Sequence, residues 1–289
     1  MVFKNQKKIN PEIIQRSQHN IDPKLIDKDA IEVINSLELA GFDAFVVGGG
    51  VRDLLLGKKP KDFDVATNAT PEEIKKTLPR SRIIGRRFKL VHFRRGRNLI
   101  EVATFRSSDK KRVSKNKQGR VLRDNVYGNI REDAFRRDFK INALYLNVNT
   151  LQIIDYTGGF RDLQERKLTC IGDSDVRFRE DPVRTIRAIR FMAALDLKCE
   201  ESLKNDISKF AHLLEGVPAA RRYEEVIKLF LTGSAVKVLN QLTSYDVLRY
   251  LLPGTAKSLK DKESGHQSLK FINLSLNNSD ERVKNDLPL

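Results

Sequence analysis

The sequence predicts an α+β chain, with strands and helices mixed up to about residue 170 and helices alone beyond it. Three observations carry this. Short apolar runs bounded by glycine and proline recur as far as Tyr156, and such runs read as strands. From Ser174 onward the apolar period becomes that of amphipathic helices. A hydrophobic fraction of 40% over 289 residues is ordinary for a globular protein and long enough for two or three small domains.

Composition also narrows the function classes. No apolar run approaches the roughly 18 residues of a membrane span. The basic N-terminus, MVFKNQKKINPEIIQ, lacks the apolar centre of a secretory signal. Cys170 and Cys199 are far apart with no C-x-x-C pattern, which offers neither a zinc knuckle nor a disulfide framework and suits a reducing cytosol. The net charge of +16 implies a polyanionic partner, nucleic acid before an anionic membrane, although a basic surface without a specific ligand has the same composition.

Residues 1–28 read as a basic, weakly structured arm. Asp29 to Leu39 reads as an amphipathic helix with Ile31, Ile34 and Leu37 on one side and Gly41 as its stop. A buried strand, Phe42 to Val47, runs directly into Gly48-Gly49-Gly50. Glycines let backbone N–H groups approach a phosphate, and a helix from Val51 to Leu56 adds a positive dipole end. The glycines alone are equally a plain strand-to-helix turn. They lack the G-x-G-x-x-G spacing, and no G-K-[ST] follows.

Asp62 and Asp64 change the weighting. In extended chain, residues i and i+2 face the same way, so the two carboxylates converge. Such a pair suits Mg²⁺, which takes one or two carboxylates together with substrate phosphates. Two such ions activate an attacking hydroxyl and stabilise a leaving pyrophosphate. A solvated pair of edge-strand acids is the plainer alternative.

Thr70-Pro71-Glu72-Glu73 is a capping box with proline at the first helical position, so a helix starts there and ends near Pro79. Strands are expected at Arg82–Gly85, Leu90–Phe93 and Leu99–Phe105, with a basic cluster, Gly85-Arg86-Arg87-Phe88, between the first two. Glu101 interrupts the apolar run of the third strand. It reads as a third carboxylate or as an ordinary solvent-facing residue, with even weight. The basic stretch 106–123, containing Lys110, Lys111 and Arg112, has no apolar period and reads as a loop or a surface that tracks phosphates. Arg136, Arg137 and Asp138 precede a strand expected over Ile141 to Val148. Arginine there can neutralise a triphosphate, and Asp138 can orient an arginine or a ribose hydroxyl. A strand Gln152–Tyr156 and a helix from Phe160 to Arg166 close this part.

In the helical part, Pro182 fits the first turn of a helix whose core face is Ile186, Ile189 and Ala193. Asp181, Arg184, Arg187 and Arg190 recur every three residues, so their row drifts around the helix. Asp181 and Arg184 are near enough to read base edges together. Arg187 and Arg190 suit phosphate contacts or support, and an exposed salt-bridged face is the alternative. Helices are expected at Glu201–Leu214, Pro218–Leu231 and Ala235–Leu242 and near Leu252, with Pro253-Gly254 ending the periodic part.

Taken together, GG-x-VRD-x-LLG, D-x-D, RRDF-x-INAL and EDP-x-R-x-x-R-A-x-RF resemble the polymerase β-type nucleotidyltransferases, in the branch of CCA-adding enzymes and bacterial poly(A) polymerases. Gly85-Arg86-Arg87-Phe88-Lys89-Leu90-Val91-His92 resembles the element that marks the poly(A) polymerase group. The resemblance covers roughly residues 30–253. It implies a nucleotidyltransferase head of mixed sheet and helices over residues 29–170. A helical neck and body follow over 171–253 for nucleotide selection and RNA binding, then the start of an incomplete body over 254–289. It implies Asp62 and Asp64 as Mg²⁺ ligands, with Glu101 and Asp138 beside them in the active site. Gly49, Gly50, Arg52, Asp53, Arg137 and Asn142 would line the triphosphate and ribose pocket. Asp181 and Arg184 would select the base, backed by Arg187 and Arg190. Arg86, Arg87, Lys110, Lys111 and Arg112 would touch RNA. The implied activity is template-independent transfer of AMP from ATP to RNA 3′ ends, by a cytoplasmic monomer without a membrane partner. The alternatives are a CCA-adding enzyme and an RNA-binding fragment without catalysis. Family members continue past residue 289, so the chain reads as truncated at its C-terminus.

Overall fold

The computed structural model describes residues 10–85, 89–107, 114–115, 121–123 and 126–288. The chain divides into two compact units, Met1–Glu165 and Arg166–Leu289. The first is built on β1 (Glu12–Ile14), α1 (Lys28–Leu39), β2 (Ala44–Val47), α2 (Gly49–Leu55), β3 (Asp64–Thr67) and α3 (Pro71–Thr77). It continues with β4 (Ser81–Ile84), β5 (Leu90–Arg95), β6 (Asn98–Thr104), the short pair β7 (Ser114–Lys115) and β8 (Val121–Arg123), and α4 (Ile130–Arg136). β9 (Leu144–Leu146), β10 (Ile153–Asp155) and α5 (Gly159–Gln164) complete it.

Eight strands form one mixed sheet in the order β1-β10-β9-β2-β3-β6-β5-β4. β3 and β6 run parallel, while β2 pairs antiparallel with both β3 and β9. The reason for α1 is local. Asp27 accepts hydrogen bonds from the Asp29 and Ala30 amides, and Ala30, Val33, Ile34 and Leu37 form a buried stripe at helical spacing. Gly41, at φ +86°, ends it. The stripe packs over the sheet face bearing Val65, Val91, Ile100 and Val102, all essentially buried. Each such side chain contributes roughly 1.5–3 kcal/mol through burial.

The structure corrects several expectations. Residues 10–28 are not a loose arm. Glu12–Ile14 pairs with Ile153–Asp155, Ile14, Ile21 and Ile26 are buried, and the His19 ring nitrogen Nε2 lies 2.8 Å from the Leu151 carbonyl. A strand of three residues is too short for alternation to register, and its partner lies far along the chain. The expected strand over Ile141–Val148 begins only at Leu144. Lys140–Asn142 is a 3₁₀ turn in which the Phe139 amide donates to Asp138. The helix expected from Val51 starts two residues earlier, inside the glycines. Within the basic stretch 106–123, β7 and β8 form a two-stranded ladder, whereas no strand was expected.

The second unit is helical among the described residues: α6 (Ser174–Glu180), α7 (Val183–Leu195), α8 (Glu201–Phe210), α9 (Ala219–Phe230), α10 (Ala235–Ser244), α11 (Leu248–Leu251), α12 (Pro253–Lys260) and α13 (Gly265–Lys284). In α7, Ile186, Ile189 and Ala193 are buried as expected. Pro253 opens α12 instead of ending the regular part, because proline suits a first helical turn. Asp280 of α13 is buried, and its carboxylate accepts the Ala235 and Val236 amides at 2.7 and 3.3 Å. This distant side chain caps α10, which no local signal could reveal. No helix among the described residues is long and apolar enough to cross a membrane.

Candidate active site

The site of the first unit begins with strand register. Parallel pairing sets Asp64 directly beside Glu101, and antiparallel pairing sets Glu101 beside His92. Asp64 and Glu101 therefore occupy one face of neighbouring strands. Asp62 precedes β3 and is exposed. The Asp64 carboxyl is pushed up from 3.8 to about 6, first by burial and then by the charge of Glu101. Asp62 raises it further and Arg137 works against the rise. Solvent still reaches Asp64, which moderates the burial effect. The direction stands because like charges meet in one corner. His92 Nε2 lies 3.2 Å from Glu101 Oε1 and holds that carboxylate from the far side.

Among the described residues no group of three or more His, Cys, Asp or Glu side chains forms a metal-ligand cluster. The donor set nevertheless suits Mg²⁺, whose sites need only one or two carboxylates beside substrate oxygens. The Asp64 carboxyl is raised first by burial and then by the neighbouring charges of Glu101 and Asp62, and a bound cation offsets both. One outcome follows from the sign of this shift. A carboxyl with a raised folded pKa costs stability as pH rises through the window from about 4 to about 6. In EDTA, Asp64→Asn should therefore melt above the parent chain at pH 7, by no more than about 1 kcal/mol after solvent screening. The two should melt together near pH 4. A lower melting temperature at pH 7 would contradict the upward shift of Asp64.

The glycine turn closes on the same corner. Gly48 holds φ +71° and caps α2 without a side chain. A Cβ there would stand 3.4 Å from Arg137 Nη1 and 3.8 Å from Asp64 Oδ2. This places turn, carboxylate and arginine together. Gly50 has a different duty. Its missing side chain leaves room for Val46, Phe63 and the Asp62 carbonyl, each at 3.4–3.6 Å from a virtual Cβ. A Cβ on Gly49 would lie 3.5 Å from Arg52 Nη2.

Arg52 is fixed by a chain of polar contacts. Its guanidinium donates to Asp53 through Nε at 2.9 Å and pairs with it through Nη2 at 2.8 Å. Nη1 donates to Asn142 Oδ1 at 2.8 Å, and Asn142 Nδ2 reaches Asp138 Oδ1 at 3.4 Å. The 3₁₀ turn thus ties Asp138, Asn142, Arg52 and Asp53 into one line. Asp138 is buried and also accepts the Phe139 amide at 2.8 Å.

Arg137 is held chiefly by Asp133 and Tyr145, which the sequence reading did not single out. It donates to Asp133 Oδ2 at 3.0 and 3.2 Å, to the Tyr145 hydroxyl at 3.2 Å and to the Asn142 carbonyl at 3.3 Å. Its guanidinium also lies over the Tyr145 ring, 5.3 Å from the centroid. Tyr145 donates its hydroxyl to Asp133 at 2.7 Å. Burial opposes charge on both Arg137 and Asp133, but each neutralises the other. Arg137 stays protonated, and Asp133 is held below the usual carboxylate range. Burial first, and Asp133 beside it, push the Tyr145 hydroxyl up. The i,i+4 spacing of Asp133 and Arg137 was readable in the sequence, but the role of Tyr145 was not.

In the second unit, Asp181 ends α6, and its Oδ2 accepts from Arg221 at 2.7 Å. Arg184 Nη1 donates to the Arg177 carbonyl at 3.3 Å. Arg187 and Arg190 both stack over Phe191, with centroid distances of 5.3 and 5.2 Å. Arg190 also pairs with buried Glu225 at 3.3 Å. Arg86, Arg87, Lys110, Lys111 and Arg112 lie outside the described residues.

With this geometry in place, similarity to known proteins defines the class. Residues 44–169 match the Poly A polymerase head domain family, and residues 196–259 match the family described as the probable RNA- and SrmB-binding site of polymerase A. The chain belongs to the poly(A) polymerase family, in the nucleotidyltransferase branch that it shares with CCA-adding enzymes. It is 44% identical over 282 residues to Poly(A) polymerase I of Salmonella typhi, covering 95% of this chain and 60% of that protein. It is 36% identical over 222 residues to the CCA-adding enzyme of Lactococcus lactis, covering 76% of this chain and 54% of that one. The crystal structure of the Bacillus stearothermophilus CCA-adding enzyme in complex with CTP matches at a TM-score of 0.69 and 32% identity, covering 81% of this chain and 56% of that one. The chain thus spans about 60% of the length of the poly(A) polymerase I relative.

Proposed function

We propose that the chain transfers AMP from ATP to the 3′ end of RNA. The 3′ oxygen of the primer bonds to the α-phosphorus, the bond to the bridging oxygen breaks, and pyrophosphate leaves. The observation that carries this reading is the register that sets Asp64 beside Glu101, with Gly48 and Arg137 at the same corner. Mg²⁺ held by Asp62 and Asp64 would supply hydroxyl activation and charge neutralisation at the departing pyrophosphate.

The remaining work falls to the chain itself. Glu101, steadied by His92, adds negative charge beside Asp64. Gly48 and Gly49 keep the N-terminal end of α2 free of side chains where the phosphates approach, while Gly50 lets that end pack against Val46 and Phe63. Arg52 faces the triphosphate and ribose, held by Asp53 and Asn142. Asp138 acts through Asn142 as a positioning residue, because its own oxygen is engaged by the turn. Arg137 is kept charged and immobile by Asp133 and Tyr145, which suits it to a phosphate. No protein nucleophile is needed, since positioning and electrostatics carry phosphoryl transfer. Asp181 and Arg184 read the base, while Arg187 and Arg190 brace that helix through Phe191 and Glu225.

The longer and closer match to poly(A) polymerase I than to the CCA-adding enzyme supports ATP as the substrate. Primer extension with each nucleotide supplied alone tests this. The expected result is extension with ATP and little with CTP. Efficient CTP use would replace polyadenylation with CCA addition, and RNA binding without extension would leave a non-catalytic fragment.

A further inference from the structure

The strand register that aligns Asp64 with Glu101 continues across the sheet. Glu101 opposes His92, and His92 opposes Arg82 on β4. Asp64, Glu101, His92 and Arg82 therefore form one transverse row on one face. Arg94 stands two residues beyond His92, so alternation puts it on the same face. Its neighbour Arg95 confirms the alternation from the other side, where it pairs with Asp29 and Glu32 of α1. Phe93 and Val91, also on the α1 side, are buried.

Charge along the row is graded. Carboxylates occupy its β3–β6 end. The described residues of β4 and β5 contribute Arg82, His92 and Arg94 to that face and no acid. Arg82 and Arg94 are exposed, and neither has a carboxylate partner among the described residues. As diagonal neighbours across β4 and β5, their backbones are about 7–8 Å apart. At ~4.8 Å per strand, Arg82 is roughly 14 Å from Asp64. A pair of unengaged guanidinium groups at that remove is too far for the triphosphate but well placed for a chain of phosphates leading away from the carboxylates. β4 is the edge of the sheet, so a strand passing over it meets no further strand of that sheet.

We propose that the β4–β5 face is a track for the RNA primer, on which Arg82 and Arg94 bind phosphates upstream of the reacting 3′ end. This rests on the proposed function, because it takes the RNA 3′ end to lie at the carboxylates. The negative end of the row holds the chemistry and the positive end holds the strand, so the same register that builds the site also aims the substrate into it.

The test compares Arg82→Glu/Arg94→Glu with a charge-matched control, Lys24→Glu/Lys28→Glu, whose exposed lysines lie at the α1 side. Binding of a fluorescent single-stranded oligoadenylate is read by anisotropy over a salt series. Extension kinetics are read on the same RNA and on a dinucleotide primer. The arginine variant should bind the long RNA about tenfold more weakly, and its log–log salt slope should fall by about 1.4, the value for two phosphate contacts on a single strand. KM for the long RNA should rise by a similar factor, with KM for ATP, kcat and dinucleotide extension near the parent values. Arg82→Lys/Arg94→Lys should recover most of the binding, since a point charge suffices for a phosphate. Single Arg82→Gln and Arg94→Gln variants serve if the double reversal fails to fold. Unchanged long-RNA binding, or an equal loss in the lysine control, would overturn the track. Parent protein that binds RNA but extends nothing would overturn the proposed function and leave the binding comparison to decide the track.

Discussion

Asp64→Asn should lower Mg²⁺-dependent AMP incorporation by about a thousandfold or more, while RNA affinity stays within about twofold. The asymmetry follows from the position of Asp64. It sits where Glu101, Asp62 and the Gly48 turn converge, at the acidic end of the face, with Arg137 the basic group beside it among the described residues. Asparagine keeps the shape and removes the charge, so the loss reports the carboxylate and not a collapsed strand. Incorporation assays and anisotropy on one preparation check both halves. Near-normal turnover in the variant would remove Asp64 from the chemistry.

Arg137→Ala should cost about 3–5 kcal/mol in urea denaturation, because it strands the buried Asp133 carboxylate without its partner. Arg137→Lys should recover only part of this, since an ammonium cannot span Asp133, Tyr145 and the Asn142 carbonyl as the guanidinium does. The double variant Arg137→Ala/Asp133→Ala should be less destabilised than the sum of the singles by about 2 kcal/mol. The depressed Asp133 carboxyl means that this contribution is present above its ordinary pKa and is lost as pH falls through the folded value. A cost below about 1 kcal/mol for Arg137→Ala would show that the pair is not the support of the site.

The sequence carried the parts of the site that are close in the chain. The Thr70 capping box, with Pro71 at N1, appears as expected because it is a contract among four neighbours. Asp62 and Asp64 were singled out by their spacing, and Glu101 as an acid in an apolar run. What brings Glu101 beside Asp64 is strand register, and register is set by pairing between strands that sequence spacing does not report. The same holds for His92 against Glu101 and Tyr145 against Arg137, each a cross-strand or cross-element contact. Short elements were also hidden. β1 has three residues and draws its stability from β10, while α13 is long but weakly apolar and is anchored by Asp280 reaching α10. Arg137 was expected simply to face the triphosphate, but the structure adds the carboxylate and phenol that keep it charged where water is largely excluded.

The most direct measurement counts products. The parent chain is incubated with ATP and a single-stranded RNA in Mg²⁺ or in EDTA, and AMP added to the RNA is compared with pyrophosphate released. The prediction is one pyrophosphate for each AMP added in Mg²⁺ and neither product in EDTA. Orthophosphate in place of pyrophosphate, or extension that persists in EDTA, would contradict cation-dependent nucleotidyl transfer at Asp62 and Asp64.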